Sequence, residues 1–199
     1  MLVSKLARKH VTLSLSGEGG DELFFGYGSY QWAKRLNQPF VHQFRHEIAG
    51  FLSKYTKNYK RQAGYFLYPS KEMLHSHILS QEQYYFSLDE IDKLMVPERG
   101  IHSDTAAKGL FNNWGIGILN QKRSLTPMEQ QAFFDLQFYL QDDLLTKVDR
   151  ASMHFSLETR VPYLDHRIIE FSMNLSPDLK YRNNRTKYLL KEILFQYVP

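Results

Sequence analysis

Seven consecutive residues, Ser16-Gly17-Glu18-Gly19-Gly20-Asp21-Glu22, hold three glycines and three carboxylates directly after a short apolar stretch. Glycines let a backbone turn left-handed and aim successive N–H groups inward, the geometry of an anion nest ahead of a helix. Carboxylates in the same place repel a bare phosphate. A phosphate there needs Mg²⁺ to bridge oxygen to oxygen, or else one of the acids must act on the reacting centre. The plainer reading is a glycine-rich turn whose Asp21 and Glu22 cap a helix and favour its dipole. The residue types leave both readings open.

Two further clusters carry charge. In QDDLLTKVDRASM, Asp143 and Lys147 stand four apart with the acid first, the spacing of a helical surface ion pair. Asp149 and Arg150 adjoin the apolar Val148 and Met153, which predicts that at least one of them faces inward and needs a partner such as Glu158 or Arg160. A buried ion-pair network is expected there, ahead of direct catalysis. Near the C-terminus, Lys180, Arg182, Arg185, Lys187 and Lys191 are opposed only by Asp178 and Glu192. A solvated basic face is the default for such a run, and a polyphosphate site is the sharper alternative. The eight histidines form no HxxEH pattern, and His75 and His77, two residues apart, do not share one helix face, so no zinc site is expected.

These groups must be placed by secondary structure. Val11 to Leu15 (VTLSL) alternates in the manner of a strand and is stopped by Ser16-Gly17. A helix is expected from near Asp21 or Ser29 through Trp32 to Leu36, ending before Pro39. Segments 40–54, 60–67, 70–78 and 81–94 show helical spacing, with Ser70 and Ser80 as N-caps. GLFNNWGIGILNQ reads equally as a glycine-weakened helix or a loop. From Pro127, Phe133, Leu136, Leu140, Leu144, Leu145 and Val148 mark two core helices. Pro162 forces Thr159 to Val161 into an extended exit, Asp165 caps a helix over Arg167 to Asn174, and a last helix covers Thr186 to Tyr197.

With 199 residues, 43% hydrophobic and 23% charged, the chain is long enough for one sizeable core, and disorder or a collagen-like repeat is excluded. A net charge of +4 gives no case for a nucleic-acid partner. The absence of cysteine excludes thiol nucleophiles, thiolate metal sites and disulfide scaffolds. No apolar run is long enough for a membrane span, and the chain reads as soluble and cytoplasmic, organised as a single helix-rich domain. One strand alone leaves a row of unpaired N–H and C=O groups, which predicts self-association or the loss of sheet neighbours.

LSLSGEGGDELFFGY, YLQDDLLTKVDRASMHFSLETRVPYLDHRIIEFSMNLSP and RTKYLLKEIL occur in this order, and together they resemble the C-terminal synthetase domain of the glutamine-hydrolysing asparagine synthetase family. The resemblance spans nearly the whole chain and is loose over residues 37–125. It implies a mainly α fragment of an α/β adenine-nucleotide-hydrolase-like (ATP-pyrophosphatase, HUP) domain, with one remnant strand and about eight to ten helices. It also implies an ATP-dependent amide ligase that adenylates a carboxylate, L-aspartate in this reading, and transfers ammonia from glutamine to give asparagine, AMP and pyrophosphate.

By the same resemblance, Glu18 and Lys187 are catalytic. Ser16, Gly17, Gly19 and Asp21 bind ATP and pyrophosphate, and Asp21 holds Mg²⁺. Asp143, Lys147, Asp149, Arg150, Glu158 and Arg160 stand on the substrate side or support it. The family's cysteine-bearing glutaminase domain and its SGGxDS pyrophosphatase loop are not found among these residues, so the chain is expected to be an incomplete, inactive piece that needs an N-terminal half as partner. Homo-oligomers are a further expectation. The reading from a different class is a non-catalytic helical module that associates through its exposed strand edge.

Overall fold

A computed structural model describes residues 1–55, 62–83, 94 and 124–198. In chain order these form α1 (Leu2–Ala7), β1 (Leu13–Leu15), α2 (Gly20–Phe24), α3 (Ser29–Leu36), α4 (Pro39–Gln43) and α5 (Arg45–Tyr55). After one helical turn at 62–65 come α6 (Leu74–Gln83), α7 (Pro127–Phe134), a π-helix (Asp135–Leu145) and α8 (Thr146–Met153). The chain then forms β2 (Glu158–Arg160), a 3₁₀ turn (Pro162–Leu164), α9 (His166–Asn174), α10 (Pro177–Lys180) and α11 (Tyr188–Leu194).

The chain divides into two compact units, Met1–Tyr27 with Ala132–Pro199, and Gly28–Gln131. In the first, β1 and β2 pair in parallel, with Leu13 opposite Glu158, Ser14 opposite Thr159 and Leu15 opposite Arg160. The expectation of a single remnant strand is therefore corrected. The residues ahead of Pro162 are extended, as proline requires, and that extended run is the strand that β1 needs. Helices among the described residues are also shorter and more numerous than expected. Asn37 and Pro39 divide α3 from α4, and a left-handed Phe25 (φ 57°) ends α2 before Ser29 starts the next helix.

Caps explain several boundaries. Thr126 and Glu129 form a reciprocal capping box at the start of α7: the Thr126 N–H donates to Glu129 Oε2 at 2.8 Å, and the Glu129 N–H to Thr126 Oγ1 at 3.3 Å. Asp165 caps α9 by accepting from the Arg167 N–H at 2.9 Å. Ser80 is no N-cap, since it is buried inside α6 and donates back to the His77 carbonyl. The π-helix departs from the expected α period. Its i→i+5 pattern sets the buried Asp135 and Leu140 five residues apart, and the phase of everything downstream shifts accordingly.

The core of the second unit gathers Ala33, Leu36, Tyr65, Tyr68, Leu74 and Ile78. Trp32 stacks on Tyr65 at 4.3 Å. Beside them His75 is buried and bonded through Nδ1 to Gln131 Oε1 at 2.8 Å, and burial pushes its imidazole below the usual range. Among the described residues, no helix is long and apolar enough to cross a membrane. The segment GLFNNWGIGILNQ lies outside the described residues.

Candidate functional site

The glycine-rich loop leaves β1 and enters α2, and β2 fixes its start: the Ser16 N–H donates to the Arg160 carbonyl at 2.9 Å. Ser16 Oγ reaches Glu18 Oε1 at 3.5 Å, and Glu18 is half-buried. Gly19 is left-handed (φ 81°), and an added Cβ there would lie 2.5 Å from Leu164 Cδ2. At Gly17 an added Cβ would meet nothing within 4 Å among the described residues.

With five residues, α2 is too short to persist by itself, so tertiary partners must hold it. Its last carbonyls account for those partners. Asp21 C=O accepts from the Gly26 N–H at 2.8 Å, Leu23 C=O from the buried Ser172 hydroxyl at 2.8 Å, and Phe24 C=O from the Lys187 N–H at 3.1 Å. Across its first turn, Gly20 packs against the Tyr163 ring, which also meets Phe24 edge-on at 6.1 Å.

Neither carboxylate of α2 caps the helix. The Asp21 side chain accepts from Lys187, Nζ to Oδ1 at 2.8 Å, with each side chain about a third exposed (33% and 32%). Glu22 is buried at 1% exposure; its Oε1 accepts from the Tyr27 hydroxyl at 3.1 Å, and its buried Oε2 has no hydrogen-bond partner among the described residues. Burial pushes the Glu22 carboxyl up, and the charges of Asp21 and Glu18 add to the effect. Burial and the adjacent Glu22 likewise hold the Tyr27 phenol above its ordinary range. The reading in which Asp21 and Glu22 serve only as caps is therefore corrected: one is an ion-pair partner and the other a buried acid.

The basic C-terminal run is likewise no uniform solvated face. Lys180 is buried at 2% exposure with its ammonium 5.0 Å from the Phe25 ring. Arg182 and Arg185 bracket a tight turn through left-handed Asn183 and Asn184, and both guanidiniums lie over Tyr188. Lys187, itself left-handed (φ 51°), turns back to Asp21.

The remaining candidates sit elsewhere on the surface. Asp143 and Lys147 form the expected i, i+4 pair at 2.6 Å, and Glu158 pairs with Arg160 at 2.7 Å in the open. Asp149 and Arg150 are both exposed, and among the described residues neither pairs with Glu158 or Arg160. The expected inward network is corrected for a physical reason, since the π-helix rotates these positions away from the phase that an uninterrupted α-helix would give them. Arg160 still serves the loop, through its carbonyl rather than its guanidinium.

Sequence patterns alone passed over Gly26, Phe25 and Ser172, and gave no sign that Lys180, read as part of the basic run, would be buried. The glycine of FFGY, directly behind an apolar pair, was the available signal for a helix end there. For Ser172 the sequence carries none. Among the described residues no group of three or more His, Cys, Asp or Glu side chains could hold a metal ion.

Comparison with known proteins bears on the whole chain. The family model for asparagine synthase matches residues 1–199. "Asparagine synthetase [glutamine-hydrolyzing] 1" of Bacillus subtilis (strain 168) is 26% identical over 99% of this chain and 30% of its own length. "Putative asparagine synthetase [glutamine-hydrolyzing]" of Mycobacterium tuberculosis (strain ATCC 25618 / H37Rv) is 31% identical over 99% of this chain and 29% of its own. "Amidase chry2" of Gibberella zeae is 28% identical over 92% of this chain and 29% of its own. The chain thus spans about 30% of the length of the first of these relatives. No solved structure matches.

Proposed function

The chain belongs to the asparagine synthase family, and from that premise we propose that it supplies the acid loop and the basic residue of an ATP-dependent amide ligase. The single observation that carries the reading is the 2.8 Å pair between Asp21 and Lys187, which joins the glycine-rich loop to the C-terminal basic segment. A reaction that adenylates a carboxylate, releases pyrophosphate and then lets ammonia displace AMP needs both kinds of group in one place. Lys187, a point charge on a flexible stem, can follow phosphoryl oxygens as negative charge builds on them. Glu18, half-buried at the loop, would accept a proton from the attacking ammonia.

Ser16, Gly17 and Gly19 shape the loop on which ATP would lie, with no described residue within 4 Å of an added Cβ at Gly17. Asp21 would hold Mg²⁺, whose chemistry when bound is to neutralise pyrophosphate charge. L-Aspartate is the proposed acceptor and asparagine the product, with ammonia drawn from glutamine by an N-terminal half like that of the relatives. Asp143, Lys147, Asp149, Arg150, Glu158 and Arg160 are proposed as support on the acceptor side.

Calorimetric titration with magnesium pyrophosphate tests the reading. Binding is expected in the native chain, with at least about a tenfold loss in Lys187→Ala, the scale of a charge-assisted contact. Equal affinity in the variant, or no heat with the native chain, overturns it. A second reading draws on the exposure of Leu2, Val3, Leu6 and Leu15, at 83%, 79%, 61% and 70%. Exposed apolar side chains of this size suit association with another chain, alongside or in place of catalysis.

A further inference from the structure

Gly26 sits where the two halves of the charged pair meet, and no demand of the backbone explains a glycine there. The left-handed residue that ends α2 is Phe25 (φ 57°), whereas Gly26 has no left-handed φ. Its N–H closes the helix end onto the Asp21 carbonyl, a bond that any residue except proline could make. What singles the position out is space. An added Cβ would collide with Asp21 Oδ1 and would lie 2.5 Å from Lys187 Cε. It would thus strike the oxygen that accepts the lysine and the carbon that carries its ammonium.

We propose that Gly26 is a positioning residue for Lys187: its missing side chain is the volume in which the Asp21 carboxylate and the lysine stem meet. Three anchors converge on that volume. Asp21 is fixed at its carbonyl by the Gly26 N–H, Lys187 is fixed at its N–H by the Phe24 carbonyl, and the side chains close the ring at 2.8 Å. With the Lys187 backbone already left-handed, its stem has little freedom to find another route around a methyl group. The functional consequence, loss of an aimed cation at the anion site, rests on the reading above, but the geometry does not.

Site-resolved acylation of Lys187 by an N-hydroxysuccinimide ester, followed by mass spectrometry, tests this, with Lys147 as the internal reference. Gly26→Ala is expected to raise the Lys187 rate about threefold, the scale of a partly exposed ion pair, and Asp21→Asn to raise it equally. The double variant should go no further than either, because both changes remove one contact. A Lys187 rate unchanged by Gly26→Ala, or rates that multiply in the double variant, overturns the proposal. If Gly26→Ala does not fold, recovery of folding in Asp21→Ala/Gly26→Ala supports the proposal, and failure of that chain too overturns it. Pyrophosphate titration of the native chain is a separate readout: its failure removes the reading of the site as an anion site and leaves the acylation result standing.

Discussion

Gly17 and Gly19 are the same residue type under different demands. Gly19 needs its left-handed backbone and has Leu164 against it, so Gly19→Ala is expected to cost about 1 to 3 kcal/mol in thermal unfolding. At Gly17 an added Cβ meets no described residue within 4 Å, so Gly17→Ala should change stability by less than about 0.5 kcal/mol while weakening pyrophosphate binding if the ligand lies over the loop. A chain that loses as much stability from Gly17→Ala as from Gly19→Ala would contradict this division. Glu22 gives a second expectation. Its carboxyl is raised above 4.5, so the folded state holds that proton more tightly than the unfolded one. The stability it lends is present in full below 4.5 and is lost as pH rises through the raised value. In Glu22→Gln that downward slope should flatten, as measured by denaturant unfolding at a series of pH values. The acids and the lysine could be picked out from residue type and spacing, but which of them meet could not. Asp21 finds Lys187 through closure of the chain, and Glu22 turns inward because Tyr27 waits five residues on.

Short elements here depend on their ends. α7 begins at a capping box, and Thr126→Ala removes the side-chain half of it, which should lower unfolding stability by about 1 kcal/mol. Thr126→Ser keeps the oxygen and should lose less. Asp165 ahead of α9 was legible because a cap is a local event written within a few residues, whereas the box at Thr126 went unread and Ser80 proved to lie inside α6. The π-helix was not legible either. Apolar residues from Phe133 to Val148 fit a period of 3.6 well enough to suggest uninterrupted α-helix, and the wider turns of the π segment then carried Asp149 and Arg150 outward. β2 shows a third case, in which the extended backbone was forced by Pro162 but its partner strand lies at the other end of the sequence.

At the scale of the chain, exposed large apolar residues include Leu2, Val3, Leu6, Val11 and Leu15 near the N-terminal end and Ile193, Leu194, Phe195, Tyr197 and Val198 near the C-terminal end. Parallel sheets are normally covered on both faces, and β1 carries such a residue at its end. Self-association at micromolar concentration is expected, and Leu2→Lys/Leu15→Lys should shift sedimentation toward monomer without changing the circular dichroism. A native chain that sediments as a clean monomer would count against it. The division into two units also governs what can be seen in solution. Both tryptophans, Trp32 and Trp114, fall within 28–131, so the unit that carries the glycine-rich loop and Lys187 has none. Intrinsic indole emission therefore arises from residues 28–131 alone, and following the glycine-rich loop by its own fluorescence calls for a tryptophan introduced into the other unit.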